Sequence, residues 1–117
     1  MDADVPQRPR LGWLNIAAYG EHMAAYVIVE IHVTDPVKFE EYKKLAQGSI
    51  VGFGGKYVAR GGRMEMLEGD EDYERIVILE FPTLEKAKEW WGSEQYRKAK
   101  EMRQLSAETR MIAVESV

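Results

Sequence analysis

The stretch RIVILEF, residues Arg75–Phe81, decides the fold of this chain. It is built of β-branched, aliphatic and aromatic residues, which is typical of a β-strand. Its apolar side chains alternate between two faces, with Val77, Leu79 and Phe81 on one and Ile76 and Ile78 on the other. The stretch AYVIVEIHV, Ala25–Val33, alternates in the same way. A sheet made of these strands is apolar on both faces, so both faces need to be covered.

Two segments with helical periodicity are expected to cover one of these faces. The first begins at Thr34-Asp35-Pro36, because Asp35 can cap free amides and Pro36 suits the first helical position. Gly54-Gly55 is expected to end it. Its apolar face consists of Phe39, Tyr42, Ala46, Ile50 and Phe53.

The second helical segment follows Pro82-Thr83 and is interrupted once. Gly92-Ser93 breaks its pattern, and Ser93 can cap a continuation. The apolar side before the break consists of Leu84, Ala87, Trp90 and Trp91, and the side after it of Tyr96, Ala99 and Met102.

Short strands complete the pattern. Lys56–Arg60 and Thr109–Glu115 read as strands, and Gly61-Gly62 leads into a further extended piece at Arg63–Leu67. The predicted order is β-α-β-β-α-β with a small extra strand in the middle. This is an α+β fold of ferredoxin-like type, with an antiparallel sheet and both helices on one face.

The other sheet face remains uncovered in such a monomer. A large exposed apolar patch is uncommon on soluble monomers, and a second copy related by a two-fold axis covers it most simply. We therefore predict a homodimer whose sheets pack face to face.

Four segments, in this order, resemble the bacterial domain-of-unknown-function family 1330 over residues 24–117: AYVIVEIHVTDP, GGKYVARGG, MEMLEGD and RIVILEFPTLEKAKEWWGSEQYRKAKEMR. The resemblance implies the dimeric α/β-barrel superfamily, whose members include cofactor-independent monooxygenases, muconolactone isomerases and haem peroxidases. The family has no settled activity, so the resemblance transfers no catalytic residue.

Residues 1–23 form an N-terminal arm that departs from the family pattern, and 24–117 form the domain. Three interpretations of the arm stay open: a floppy terminus, a segment that docks through its apolar residues, or a consequence of start-site choice, since Met23 directly precedes the first strand. The docking residues would be Leu11, Trp13, Leu14 and Ile16. The acidic start lacks the positive charge of an export signal, which predicts a cytoplasmic protein.

The composition of the 117 residues excludes several classes of protein. Without cysteine there is no disulfide framework and no thiol nucleophile. The net charge of −4 argues against nucleic-acid binding, and no apolar run is long enough to span a membrane. Only two histidines occur, His22 and His32, without ligand-like spacing, so we expect no metal and no cofactor. The glycine pairs lack the context of a phosphate-binding loop.

The first candidate site is a carboxylate–imidazole set on the uncovered sheet face. Glu30 and His32 are two residues apart on one strand, and Glu80 shares their face if the two long strands are antiparallel neighbours. Such a set is suited to general acid–base catalysis. Alternatively these charges pair with Arg60, Arg75 or Arg110 of either copy in the dimer interface.

The second candidate site lies between the sheet and the helices and would bind a ligand. Aromatic walls with an arginine or a tyrosine hydroxyl suit a small, flat, acidic compound. The alternative is that these side chains belong to the core and that each polar tip is hydrogen-bonded. Arg103 would then lie near a helix C-terminus, where the helix dipole favours positive charge. The residues are Tyr42, Tyr57, Arg60, Trp90, Tyr96 and Arg103, with Trp91 beside them.

Three functions stay open on these grounds. The favoured one is a small dimeric, cofactor-independent enzyme acting on a small organic acid or aromatic metabolite. The others are a ligand-binding or regulatory module without chemistry, and a plain interaction domain. The fold alone does not distinguish them.

Overall fold

Four strands and three helices make up the part of the chain that the computed structural model describes, residues 23–70 and 73–117. Predictions about residues 1–22 lie outside it. The elements are β1 (Ala25–Val33), α1 (Pro36–Gly52), β2 (Lys56–Arg60), β3 (Arg75–Phe81), α2 (Leu84–Trp91), α3 (Glu94–Ser106) and β4 (Ala107–Glu115).

The strands form one antiparallel sheet in the order β2-β3-β1-β4. The apolar strands β1 and β3 therefore lie at its centre and are antiparallel neighbours. Ile28 pairs with Ile78 on one side and with Ile112 on the other, which fixes the faces of all three strands. The observed order is that of the ferredoxin-like split βαβ fold.

The helix boundaries follow from side-chain caps, which confirms the predicted starts. Asp35 accepts a hydrogen bond from the Lys38 amide at 3.2 Å, and Ser93 accepts one from the Tyr96 amide at 3.1 Å. The break at Gly92 therefore separates α2 from α3.

Glycines end α1, also as predicted. Gly54 has φ +81° and Gly55 donates its amide to the Ile50 carbonyl at 2.8 Å, which closes the last turn. A Cβ on Gly55 would lie 2.6 Å from the Phe81 ring. A side chain at Gly55 would therefore displace the end of α1 from the sheet.

All three helices contribute to one core on one face of the sheet. Val27, Val29 and Ile31 of β1 are buried there with Leu79 and Phe81 of β3. The helices add Phe39, Tyr42, Ala46, Ile50, Ala87, Trp90, Tyr96 and Ala99. Trp91 is 47% exposed, so its predicted place on the apolar side of the helix is wrong. It stacks instead under the Lys100 ammonium, 3.6 Å from the ring centroid.

The opposite face of the sheet, here called the open face, carries the alternate side chains. Ile112 and Val114 on it are 52% and 47% exposed.

The segment Arg63–Leu67 forms no strand within residues 23–70 and 73–117, so the predicted extra strand is wrong. Extended residues form a strand only with a pairing partner, and none of the described strands pairs with this segment.

Candidate functional site

A cavity of about 30 Å³, here called the inner cavity, lies between α1 and the sheet. This volume holds one or two water molecules. Its walls are mainly apolar side chains of β1, β3 and α1, among them Val29, Ile31, Phe39, Ala46, Ile50 and Leu79. Its polar lining comes from Tyr42, Lys43, Tyr57, Arg60 and Arg75.

A wider depression, here called the outer depression, opens beside the inner cavity. Its volume is about 310 Å³, and it is lined by Glu40, Lys43, Lys44, Gln47, Arg60, Gly61 and Arg75. Lys43, Arg60 and Arg75 line both spaces. The two spaces are therefore neighbouring parts of one site, apolar inside and charged outside.

A chain of buried polar groups ends at the wall of the inner cavity. Arg103 Nε donates to the Tyr96 hydroxyl at 3.2 Å, and the Tyr96 and Tyr42 hydroxyls lie 3.3 Å apart. Arg103 also donates to Thr109 Oγ1 of β4. Either hydroxyl of this pair can donate to the other. With Tyr96 as the donor, the Tyr42 proton is left for a group in the cavity.

Arg103 lies in the last turn of α3, the position that the alternative interpretation gave it, and its side chain is only 5% exposed. Its described hydrogen bonds are to hydroxyl oxygens, and none of the described carboxylates forms an ion pair with it. A buried guanidinium with neutral partners polarises them, because the low local dielectric strengthens its field.

The environment of Tyr42 raises the pKa of its hydroxyl well above the ordinary value of 10.0. Burial is the largest cause, and the neighbouring Tyr96 hydroxyl adds to it, while Arg103 opposes it. Tyr42 is therefore neutral at physiological pH and acts as a hydrogen-bond donor rather than as a base.

This raised pKa predicts a loss of stability in alkali. The unfolded chain releases the Tyr42 proton near pH 10 while the folded chain keeps it, so stability is full below pH 10. Above that, the free energy of unfolding falls by about 1.4 kcal/mol per pH unit until the folded pKa is reached. Urea titrations from neutral pH to above pH 10 on Tyr42→Phe and wild type measure this, and the variant should show the smaller fall. Equal falls would contradict a buried, neutral Tyr42.

Trp90 forms the inner wall and holds α2 to the rest of the core. Its Nε1 donates to Ser49 Oγ at 3.1 Å, and Ser49 donates to the Ala46 carbonyl at 2.8 Å. Its ring lies 4.1 Å from the Tyr96 ring and 5.2 Å from the Phe81 ring, centroid to centroid. Trp90 thus contributes shape and rigidity to the site rather than a free polar group.

Tyr57 and Arg60 reach the same side of the sheet because of an irregularity in β2. Residues three apart on a regular strand face opposite sides, but the register of β2 shifts between Tyr57 and Ala59. Arg60 therefore pairs with Val77 and its guanidinium lies 3.9 Å from the Tyr57 ring centroid. Burial raises the pKa of the Tyr57 hydroxyl, and Arg60 opposes this rise.

The first predicted set is split by the structure. Glu30, His32 and Glu80 all lie on the open face, away from the inner cavity, but Glu80 pairs with Tyr26, four residues along β1 from Glu30. At about 3.4 Å per residue this separates the two backbone positions by about 14 Å along the sheet. The condition set by the sequence, antiparallel pairing of β1 and β3, is met, but the sequence does not predict the offset between Glu30 and Glu80.

The other two members of that set have polar partners. Glu30 Oε1 lies 3.5 Å from Arg110 Nε, one of the pairings that the alternative proposed, and His32 Nδ1 lies 3.1 Å from Glu74 Oε2. Glu30 Oε1 is buried without a hydrogen bond, so the Arg110 contact is ionic and poorly aligned. A catalytic role for the set stays a prediction.

Sequence reasoning missed two polar groups of the cavity. Arg75 was considered only as an interface cation, although it alternates with Val77 and Leu79 and so belongs to the core side of β3. The sequence does not indicate that Lys43 lines the cavity, because a lysine next to the apolar face of a helix is usually solvated.

The described elements make this protein an α+β protein of the ferredoxin-like class with a pocket between its sheet and its helices. The chain belongs to the family described as a domain of unknown function (DUF1330), whose model matches residues 24–117. This confirms the family resemblance seen in the sequence.

Several solved structures share the fold. A protein of unknown function from Rhodopseudomonas palustris is 20% identical, with a TM-score of 0.70 over 92% of this chain and 93% of that one. SnoaB, a cofactor-independent oxygenase from Streptomyces nogalater, is 10% identical, with a TM-score of 0.60 over 81% and 94%. A conserved protein from Methanosarcina mazei Go1 is 18% identical, with a TM-score of 0.51 over 85% and 99%. No curated protein matches the chain in sequence.

Two further searches of the described residues gave negative results. None of the described helices has the length and apolar character needed to cross a membrane. Over residues 23–70 and 73–117, no cluster of three or more histidines and carboxylates has an arrangement suited to a metal ion.

Proposed function

We propose that this protein is a dimeric, cofactor-independent enzyme that binds a small organic acid or aromatic metabolite between α1 and the sheet. The observation that carries the proposal is the Arg103–Tyr96–Tyr42 hydrogen-bond chain, which ends at the apolar inner cavity. Apolar pockets with a few convergent polar groups are the usual sites of small-molecule binding.

The inner cavity alone is too small for such a compound. Its 30 Å³ admits only the end of an aromatic or alkyl group, while the rest would lie in the 310 Å³ of the outer depression. Small-molecule sites usually begin at about 300 Å³, so the two spaces together suit a compact metabolite.

The chemistry would rest on hydrogen-bond donation by Tyr42. No carboxylate or imidazole lines the inner cavity among the described residues. The protein's contribution is therefore to orient the compound, exclude water and stabilise an oxyanion that develops on it. The shared fold with a cofactor-independent oxygenase supports this class of reaction, by analogy of fold alone.

The second candidate is a ligand-binding or regulatory module without chemistry. The absence of a carboxylate or an imidazole among the described cavity residues favours it, and its binding site would be the same. A filled interaction domain is the least favoured candidate, because a cavity does lie beside Tyr42 and Trp90.

The homodimer is part of the proposal. Met64, Met66 and Leu67 are 43%, 58% and 93% exposed, and together with Glu30 and Ile76 they line a depression on the open face. Apolar side chains of the connection and of the strands thus form one surface, which a second copy would cover.

A thermal-shift screen of aromatic and central metabolites tests this function. A true ligand at a hundredfold excess over Kd stabilises the protein by about 2.7 kcal/mol. Each hit is then incubated with the protein, and product is sought by mass spectrometry. Formation of a product supports the proposed enzymatic function, whereas saturable binding without a product supports a ligand-binding module without chemistry.

Two matched substitutions test whether the ligand binds in the inner cavity. Val29→Ile adds a methylene to the wall of the inner cavity, and Val114→Ile adds the same group to the open face. We expect the first to weaken the binding of a hit about tenfold and the second to leave it unchanged. Equal affinities for both variants would contradict a ligand in the inner cavity.

A further inference from the structure

We infer that the outer depression binds a carboxylate, so that the ligand is an amphiphilic monocarboxylate with an aromatic or alkyl body in the inner cavity. The inference rests on the proposed binding function and specifies its ligand class. Two observations support it: the charges around the depression and the positions of the charged residues in the sheet.

Positive charge is concentrated there although the chain as a whole is acidic. The depression holds four cations, Lys43, Lys44, Arg60 and Arg75, against the single carboxylate of Glu40. Glu40 pairs with Lys43 at 2.9 Å. An excess of positive charge around a concave surface raises the local concentration of anions.

Neither guanidinium forms an ion pair with a described carboxylate, although Arg75 is near enough to Glu40 to help lower the pKa of that carboxyl. Arg60 lies over the Tyr57 ring, and Arg75 lies 5.2 Å from the Phe39 ring centroid. Arginine is the usual residue for binding carboxylates, because its planar fork matches their two oxygens. Stacking on rings leaves the outer edges of the guanidiniums available for such bonds.

The sheet register brings both arginines to the same place. Arg60 pairs with Val77, and Arg75 is two residues before Val77 on the same face of β3. They are thus diagonal neighbours on adjacent strands, with about 7–8 Å between their backbones. Their side chains are long enough to meet around one ligand group at that spacing.

Both arginines also line the inner cavity, and this sets the character of the ligand. A carboxylate held by Arg60 and Arg75 would direct the rest of the molecule toward Phe39, Ile50 and Tyr42.

Matched ligand pairs test the inference on the full-length protein. Binding of cinnamate and octanoate is compared with binding of cinnamyl alcohol and octanol by calorimetry, with phenyl phosphate as the phosphate arm. We expect each acid to bind at least about tenfold more tightly than its alcohol, since a charge-assisted hydrogen bond contributes roughly 1.5–3 kcal/mol. Added salt should reduce this preference.

Substitutions locate the carboxylate. Arg60→Gln and Arg75→Gln should each weaken acid binding about tenfold and weaken alcohol binding by a much smaller factor. Arg63→Gln is the matched control, because Arg63 is exposed and pairs with Glu65 outside the depression. Thermal denaturation confirms that each variant is folded.

The outcomes separate the two proposals. Equal binding of acids and alcohols, or tightest binding of phenyl phosphate, overturns the carboxylate site and leaves cavity binding intact. Acid preference that survives both arginine substitutions also overturns it. Failure of the acids and the alcohols alike to bind overturns the carboxylate site together with the proposed function.

Discussion

Replacing Trp90 with alanine is expected to lower the free energy of unfolding by about 3–5 kcal/mol. The side chain is 1% exposed, packs between Phe81 and Tyr96, and donates a hydrogen bond to Ser49. Its removal leaves a large void where α1, α2 and the sheet meet. In a domain of this size, each kcal/mol lowers Tm by about 4–8 °C.

Trp91→Ala is the matched control, because the adjacent residue has the same chemistry on the outer side of α2. Its ring is 47% exposed and contacts the Lys100 ammonium. We expect it to lose at most about 1 kcal/mol, the strength of an exposed cation–π contact. Urea denaturation of both variants makes the comparison, and equal losses would contradict the assignment of Trp90 to the core.

Replacing Ile112 with aspartate is expected to convert the proposed dimer into a folded monomer. Ile112 is 52% exposed on the open face of β4, where it pairs with Ile28. In a two-fold interface each copy would bring its own aspartate, so two unpaired charges are buried at once. Burying these charges costs several kcal/mol, which raises the dissociation constant of the dimer by at least about a hundredfold.

Light scattering coupled to size exclusion measures the change. Leu105→Asp is the control, because Leu105 is 64% exposed on α3 and lies on the helical side. That variant should stay dimeric. A wild-type protein that is monomeric at micromolar concentration, or an Ile112→Asp variant that stays dimeric, would contradict the face-to-face dimer.

Much of the fold could be predicted because local chemistry decides it. The alternation of β1 and β3 assigned their residues to two faces, and Asp35, Ser93 and Gly54 marked the helix boundaries. These signals depend on a few adjacent residues, which a sequence displays directly.

The site was less predictable, because it depends on register and on irregular backbone. The shift in β2 that brings Arg60 beside Tyr57 leaves no mark on the sequence. The offset of β3 against β1, which separates Glu80 from Glu30, is also set by pairing of distant strands. Of the predicted aromatic set, Tyr42, Tyr57 and Trp90 line the inner cavity. Trp91, Tyr96 and Arg103 are not among its lining residues, and Arg75, which is, was expected in the dimer interface.

Methyl NMR with cinnamate tests the central claim, that the ligand site lies between α1 and the sheet, most directly. Two groups of methyls report on the two faces: Val29, Ile31 and Ile50 on the inner cavity, and Ile28, Ile78 and Ile112 on the open face. The account predicts saturable shifts in the first group and none in the second. Shifts confined to the open-face methyls, or no saturable shift at all, would contradict it.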